Sequence, residues 1–286
     1  RGAAPRADAG LLSLAFVFLL VGFGTKAGLV PLHSWLPDAH AEGPTPIAAV
    51  LSGLLLNAAM LGILRGTAIL AGNAEAIPTG PFLMAAGLLS LGLAGLSLWR
   101  RRDGKRLLGW SSIEHMGLAA FAFGLGGPAG ALAGLLHLCG HGLLKPAAFF
   151  AFGRAAQLRG SQAIGDIGGI ARSHPALGWG LALAMAGLAG LPPFALFASE
   201  FLLAAAAGRV APWWLLGLLP GLLLAGLAVL AAMGRLCFGA PTLPAEAAGR
   251  AALGPLWLHL ALAAMLGLAL PAPLAALLRD AAAVLP

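Results

Sequence analysis

The sequence predicts an all-α fold: a polytopic membrane helix bundle of about eight transmembrane helices, two of them broken. Three observations carry this. Of 286 residues, 60% are hydrophobic and 9% charged, and the mean hydropathy is +0.92, a balance foreign to soluble globular domains. The apolar residues fall into runs long enough to cross a hydrocarbon core about 30 Å thick. The gaps between runs are short and hold most of the arginines, so topology accounts for the formal charge of +7 better than nucleic acid does. The whole chain, 1–286, is read as one transmembrane domain.

The first run, Gly10 to Val30, is longer than the apolar part of a secretory signal and carries Lys26, so it reads as a membrane helix. The chain starts at Arg1 rather than Met, which fits a piece of a longer chain or a processed product. Pro31 disfavours further helix, and the turn-rich His33-Ser-Trp35-Leu-Pro37-Asp38 follows it, which predicts a broken helix with Lys26 beside a hydrated interruption. Asp38 to Pro46 reads as a polar connection, with Thr45 and Pro46 as N-cap and first helical residue of the second span, Ile47 to about Leu70. That span holds Asn57 near its centre and Arg65 toward its end. The third runs from about Pro81 to Trp99 and stops at the basic cluster Arg100, Arg101, Arg102, Lys105 and Arg106.

The fourth span, Leu107 to Gly126, contains Ser111, Ser112, Glu114 and His115. Gly127 and Pro128 turn the chain tightly into the fifth, Pro128 to Gly153, so the two are expected to be antiparallel neighbours whose polar residues meet. The fifth carries His137, His141 and Lys145 at i, i+4 and i+8, which lie nearly in line along a helix with about 6 Å between successive levels. A Lys at mid-membrane costs roughly 2.5 to 3.5 kcal/mol on insertion scales, so such a stripe persists where it faces a partner, a cavity or a proton path. A loop is expected from Arg154 to Ser173. His174 to Gly208 is too long for one span and is interrupted at Gly190-Leu-Pro192-Pro193, predicting a second broken helix with Ser199 and Glu200 in its far half. The last spans are Pro212 to Phe238 and about Leu253 to Leu270, with an interfacial tail from Pro271 to Pro286.

Topology follows from the positive charges. With the end of the first span cytoplasmic, that side collects Arg100, Arg101, Arg102, Lys105, Arg106, Arg154, Arg159, Arg172, Arg235 and Arg250, against Arg1, Arg6, Arg65, Arg209 and Arg279 opposite. The asymmetry places both termini outside.

Lys26, Glu114, His137, His141, Lys145 and Glu200 thus lie on four spans at membrane depth. Lys, His and Glu alternating with water are suited to handing protons along, because burial draws Lys and Glu toward neutrality and His titrates near neutral pH already. Each has a plainer reading: Lys26 as a snorkelling side chain, Glu114 paired locally with His115, His137 as a packing histidine, Glu200 as a helix cap. His33, Asp38, His40 and Glu42 read as interfacial. A zinc site at His137 and His141 lacks the metalloprotease pattern and a third ligand, and Cys139 and Cys237 read as packing residues. No Gly-rich phosphate loop or cysteine cluster calls for a cofactor bound by this chain.

Four segments carry a resemblance. They are Lys26 to Pro46 (KAGLVPLHSWLPDAHAEGPTP), Lys105 to Gly117 (KRLLGWSSIEHMG), His137 to Phe150, and Gly190 to Phe201 (GLPPFALFASEF). Together they resemble the antiporter-like, proton-conducting subunits of respiratory complex I and related hydrogenases, most closely the hydrogenase-4 component F branch. The resemblance implies an antiporter-like fold fragment covering the later eight helices of a longer subunit. On that basis 10–75 is the end of a first repeat, 76–240 a second, and 241–286 a C-terminal helix and interfacial tail. It implies a proton relay of Lys26, Glu114, His137, His141, Lys145 and Glu200, with Asn57, Ser111, Ser112 and His115 as auxiliary polar residues. Asn57 stands where complex I subunits often carry lysine, and the acidic partner of Lys26 would lie before Arg1. The implied partners are other membrane subunits, the lipid bilayer and protons, not nucleic acid, in a prokaryotic cytoplasmic membrane. Redox chemistry would reside in those partners; a subunit of a multi-subunit sodium/proton antiporter is the alternative, and a purely structural membrane anchor a third reading.

Overall fold

The computed structural model describes residues 4–240 and 252–285. Arg1, Arg250 and Pro286, which entered the topology and tail readings, lie outside the described residues. Among those described, regular structure is helical apart from one isolated bridge between Asp103 and Ala163.

Helix α1 spans Ala9–Ala27 and is capped by Asp8, whose Oδ1 accepts the Leu11 N–H at 2.8 Å. It ends at Gly28, which takes φ 75°, a conformation costly for residues with a Cβ. After an irregular stretch the chain resumes as α2, Trp35–Glu42. The expected polar connection from Asp38 is therefore helical to Glu42 and shrinks to Gly43 and Pro44. Pro37 falls in the first turn of α2, where a missing N–H costs nothing. The next helix starts at Thr45 with Pro44 as its cap residue and no side-chain cap, one residue earlier than expected.

This is α3, Thr45–Leu70, with one π-helical turn at Leu51–Leu55. Then come α4 (Gly80–Leu98), α5 (Gly104–Leu125, capped by Asp103 on the Arg106 N–H at 2.8 Å) and α6 (Gly127–Arg159). The last runs six residues beyond the expected Gly153, with Pro146 inside it. Two single turns, Ile164–Ile167 and Ile170–Ser173, break up the expected loop. Helices α7 (Pro175–Leu188) and α8 (Ala195–Val210) are the halves of the second broken helix, followed by α9 (Pro212–Phe238). Finally α10 (Gly254–Leu268) is followed by α11 (Ala272–Ala283), bent 71° from it.

Helices occupy all eight expected spans. Of the described helices, α1, α3, α4, α6 and α9 are each long and apolar enough to cross a membrane, and α10 qualifies together with α11. Helix α5 has the length but is more polar, since it carries the site residues.

The bundle is built around α5 and α6. From Leu107 to Gly124 almost every residue of α5 is buried, and α2, α3, α7, α8, α10 and α11 pack on this central pair. Helix α4 reaches α5 along a seam of small residues: a Cβ on Gly87 would lie 2.6 Å from the Gly117 carbonyl, and one on Gly80 2.6 Å from that of Gly124. Between helices in lipid, close backbone approach of this kind supplies packing that water would otherwise drive. Helix α1 packs on α3 but leaves most of its surface open, including Leu11, Leu14, Phe18 and Val21. At one end of the bundle Lys105 Nζ donates to the Gly43 carbonyl at 2.9 Å, and Arg106 pairs with Asp38 (3.3 Å) and Glu42 (3.4 Å).

Candidate functional site: a buried polar string

Helices α5 and α6 run antiparallel, so residues early in α5 face those late in α6. Leu108 meets Lys145, whose Nζ donates to the Leu108 carbonyl at 2.9 Å, and His115 meets His137 at 3.3 Å between Nδ1 and Nε2. The His115 ring also lies 5.5 Å, centroid to centroid, from His141. Lys145, His115 and His141 have no exposed surface, and Glu114 and His137 only 2%. Lys145 lies within electrostatic reach of Glu114, His115 and His141. The stripe predicted on one helix is thus half of a string made by two.

The hydrogen-bond accounting is incomplete at the centre. Glu114 Oε2, Ser111 Oγ and both ring nitrogens of His141 are buried without a protein hydrogen-bond partner. A buried polar group left unpaired costs about 1 to 3 kcal/mol, and bridging water is the usual remedy. Ser112 is better provided for: its hydroxyl donates to the Leu108 carbonyl at 3.0 Å and lies 2.9 Å from Ser52 of α3. Asn57, also on α3, donates from Nδ2 to the Leu138 carbonyl at 3.0 Å, one residue past His137, while its Oδ1 has no partner.

Lys26 and Glu200 are placed at the two helix breaks. Lys26 is exposed on α1, with Nζ 5.7 Å above the Trp35 ring. Protein takes up much of the backbone freed at this break: Trp35 Nε1 donates to the Thr25 carbonyl at 2.7 Å, and the Val30 N–H donates to Ser90 Oγ at 2.9 Å. Glu200 sits in the first turns of α8 with its carboxyl folded against Gly190, whose φ of 69° belongs to the second break. Glu114 lies within electrostatic reach of it.

Two residues outside the expected set join this string. Ser199, fully enclosed beside Glu200, lies 2.9 Å from His137 Nδ1 and donates to the Leu196 carbonyl at 2.8 Å. His40, read from sequence as interfacial, has no exposed surface. Its ring is 5.3 Å from that of Phe149, one turn beyond Lys145, its Nδ1 bonds the Leu36 carbonyl at 2.8 Å, and its Nε2 has no partner. The i, i+4 pairing of Leu36 with His40 is the available signal, hidden by Pro37 inside it and Pro44 just beyond. Nothing in sequence joined Ser199 to a histidine 62 residues earlier.

Residues 6–238 match the model of the NADH:quinone oxidoreductase/Mrp antiporter transmembrane family. The hydrogenase-4 component F homolog of Methylacidiphilum infernorum is 50% identical over 234 residues, which are 82% of this chain and 49% of that protein. A chain of the membrane-bound sulfane sulfur reductase, an archaeal respiratory membrane complex, superposes with a TM-score of 0.87 over 97% of this chain and 57% of its own length, at 24% identity. A chain of respiratory complex I from Thermus thermophilus gives 0.85 at 25% identity, over 96% of this chain and 59% of its own. The chain therefore spans about half the length of the curated relative and somewhat more of the solved ones. Its multi-pass helical fold, its buried string between two broken helices and its match over most of its length agree: the chain belongs to the NADH:quinone oxidoreductase/Mrp antiporter transmembrane family.

Proposed function

We propose that this chain is part of a proton-translocating membrane subunit of a multi-subunit oxidoreductase, of hydrogenase-4/formate hydrogenlyase-like or NADH:quinone oxidoreductase-like type. The observation that carries the reading is the string of Lys145, Glu114, His141, His115 and His137 enclosed at the centre of the bundle. Packing alone has no use for five titratable groups there, several with unpaired atoms, because apolar side chains of similar size would fill the space without that penalty. Proton exchange through intervening water uses both the titratable groups and the unpaired atoms.

In this reading Lys145 and the histidines form the central relay, Glu114 exchanges charge with Lys145, and Glu200 is the terminal site at the second break. Lys26 is the switch at the first break, and Asn57, which cannot titrate, holds water or orients neighbours between them. The stretches 10–75 and 76–240 are the end of one repeat and a second repeat, with the two breaks in corresponding positions. Redox chemistry belongs to partner subunits, whose conformational or electrostatic signal shifts the protonation of this string, and this chain itself binds no cofactor.

The test is proton flux in vesicles carrying the assembled complex with its complete subunit. Lys145→Ala is expected to lower flux about a hundredfold or more while the complex still assembles, and Glu200→Gln to lower it comparably. Normal pumping by both variants would defeat the relay and leave a structural anchor. The family also includes Mrp antiporters, which supports a second reading as a subunit of a multi-subunit sodium/proton antiporter. Flux that requires sodium and no redox module favours that reading.

A further inference from the structure

The hydrogen bonds around His137 can be read for direction. The Ser199 hydroxyl carries one hydrogen, and two neighbours can take it: the Leu196 carbonyl at 2.8 Å, which can only accept, or His137 Nδ1. Given to the carbonyl, the shorter contact, it fixes the polarity of the series. Toward His137 Nδ1, 2.9 Å away, Ser199 then has only lone pairs to offer, so that nitrogen must carry the hydrogen. A neutral imidazole has one N–H, which leaves His137 Nε2 as an acceptor. His115 Nδ1, 3.3 Å from it, must in turn be the donor. At the far end, Nε2 of His115 is buried with no partner within hydrogen-bond distance; the Leu188 carbonyl faces this ring and can only accept, so it takes up a hydrogen once a proton arrives on Nε2. Leu188 is the last residue of α7 and Leu196 lies in the first turn of α8, so the carbonyl facing the open end of the series and the carbonyl that anchors its other end lie on the two sides of the second break.

We propose that Ser199 is a positioning residue for the relay: its hydroxyl, held by the Leu196 carbonyl, fixes both His137 and His115 as Nδ1–H tautomers. Nε2 of His115 is then the one proton-accepting nitrogen of the pair. A proton reaching the pair enters at His115, and the opposite polarity requires the Ser199 hydroxyl to turn away from Leu196. Movement of α8 against α7 changes that orientation, so the break and the histidines are joined through one hydroxyl. This inference rests on the relay reading above.

The experiment uses the complete subunit in its assembled complex, with Ser199→Ala, Ser199→Thr, His137→Gln and the Ser199→Ala/His137→Gln pair. Ser199→Ala is expected to lower proton flux about tenfold, the scale of one buried partner lost, and Ser199→Thr, which keeps the hydroxyl, to restore most of it. The double variant is expected to be no slower than His137→Gln alone, because the serine acts through that ring. Solid-state nitrogen NMR of labelled histidine should show Nδ1–H at His137 in the parent and a shift toward Nε2–H in Ser199→Ala. Costs that multiply in the double variant, or a Ser199→Ala protein with unchanged ring nitrogens, overturn the proposal. If His137→Gln itself pumps normally, the relay reading falls instead, and the nitrogen spectrum still decides the tautomer.

Discussion

A carboxyl folded against a glycine leaves little tolerance at either residue. A Cβ built on Gly190 would run into Glu200 Oε2, and the backbone there has positive φ. Gly190→Ala is therefore expected to push the Glu200 carboxyl out of its place and destabilise the second break by about 1 to 3 kcal/mol. Its signature is a loss of flux that resembles Glu200→Gln, with the subunit still assembled. At this scale the sequence was informative where chemistry repeats along one helix. His137, His141 and Lys145 announced themselves by spacing, and Glu114 with His115 by their place inside an apolar run. Ser199 and His40 were silent, because what distinguishes them is a neighbour brought by another helix: His137 for the first, Phe149 for the second.

Elements were legible where a long apolar run ended in glycine, proline or a basic cluster, and less so where prolines sit inside a helix. In sequence, α2 reads as turn residues to Asp38 and a polar connection after it, with Pro37 and Pro44 in the stretch, although proline is harmless in a first turn or just before a helix. Helix α6 outran its expected end since the apolar run stops at Gly153 while the hydrogen-bonded turns do not. The seam between α4 and α5 is an element-scale property, and it makes a prediction. Gly117→Val places branched carbon against Ser90 Cβ, 2.7 Å from a Cβ at that position, and against the Gly87 carbonyl at 2.8 Å. The expected result is separation of the two helices at a cost of about 1 to 3 kcal/mol, read as a lower melting temperature of the detergent-solubilised complex. Conductance should suffer too, since α5 carries half of the string.

At the scale of the molecule, Lys105, Arg106, Arg154 and Arg159 gather where α3 and α5 begin and α6 ends, around Gly43 and Gln162. The positive-inside rule predicts that end to be cytoplasmic. Arg102, exposed between α4 and α5, and Glu75, exposed between α3 and α4, lie at opposite ends of α4. Arg102→Cys should react with a membrane-impermeant maleimide only in inside-out vesicles, and Glu75→Cys only in right-side-out ones; the reverse pattern would invert the topology. Besides the bond from Asn57, a second contact joins α3 and α6. Pro146 offers no N–H to the Gly142 carbonyl one turn back, and it packs on Gly53, a Cβ there lying 2.7 Å from its ring, within the π-helical turn of α3. Two slackened rungs thus abut directly after Lys145, so mechanical compliance is concentrated beside a relay residue, and a small flexing of this joint would carry that amine with it.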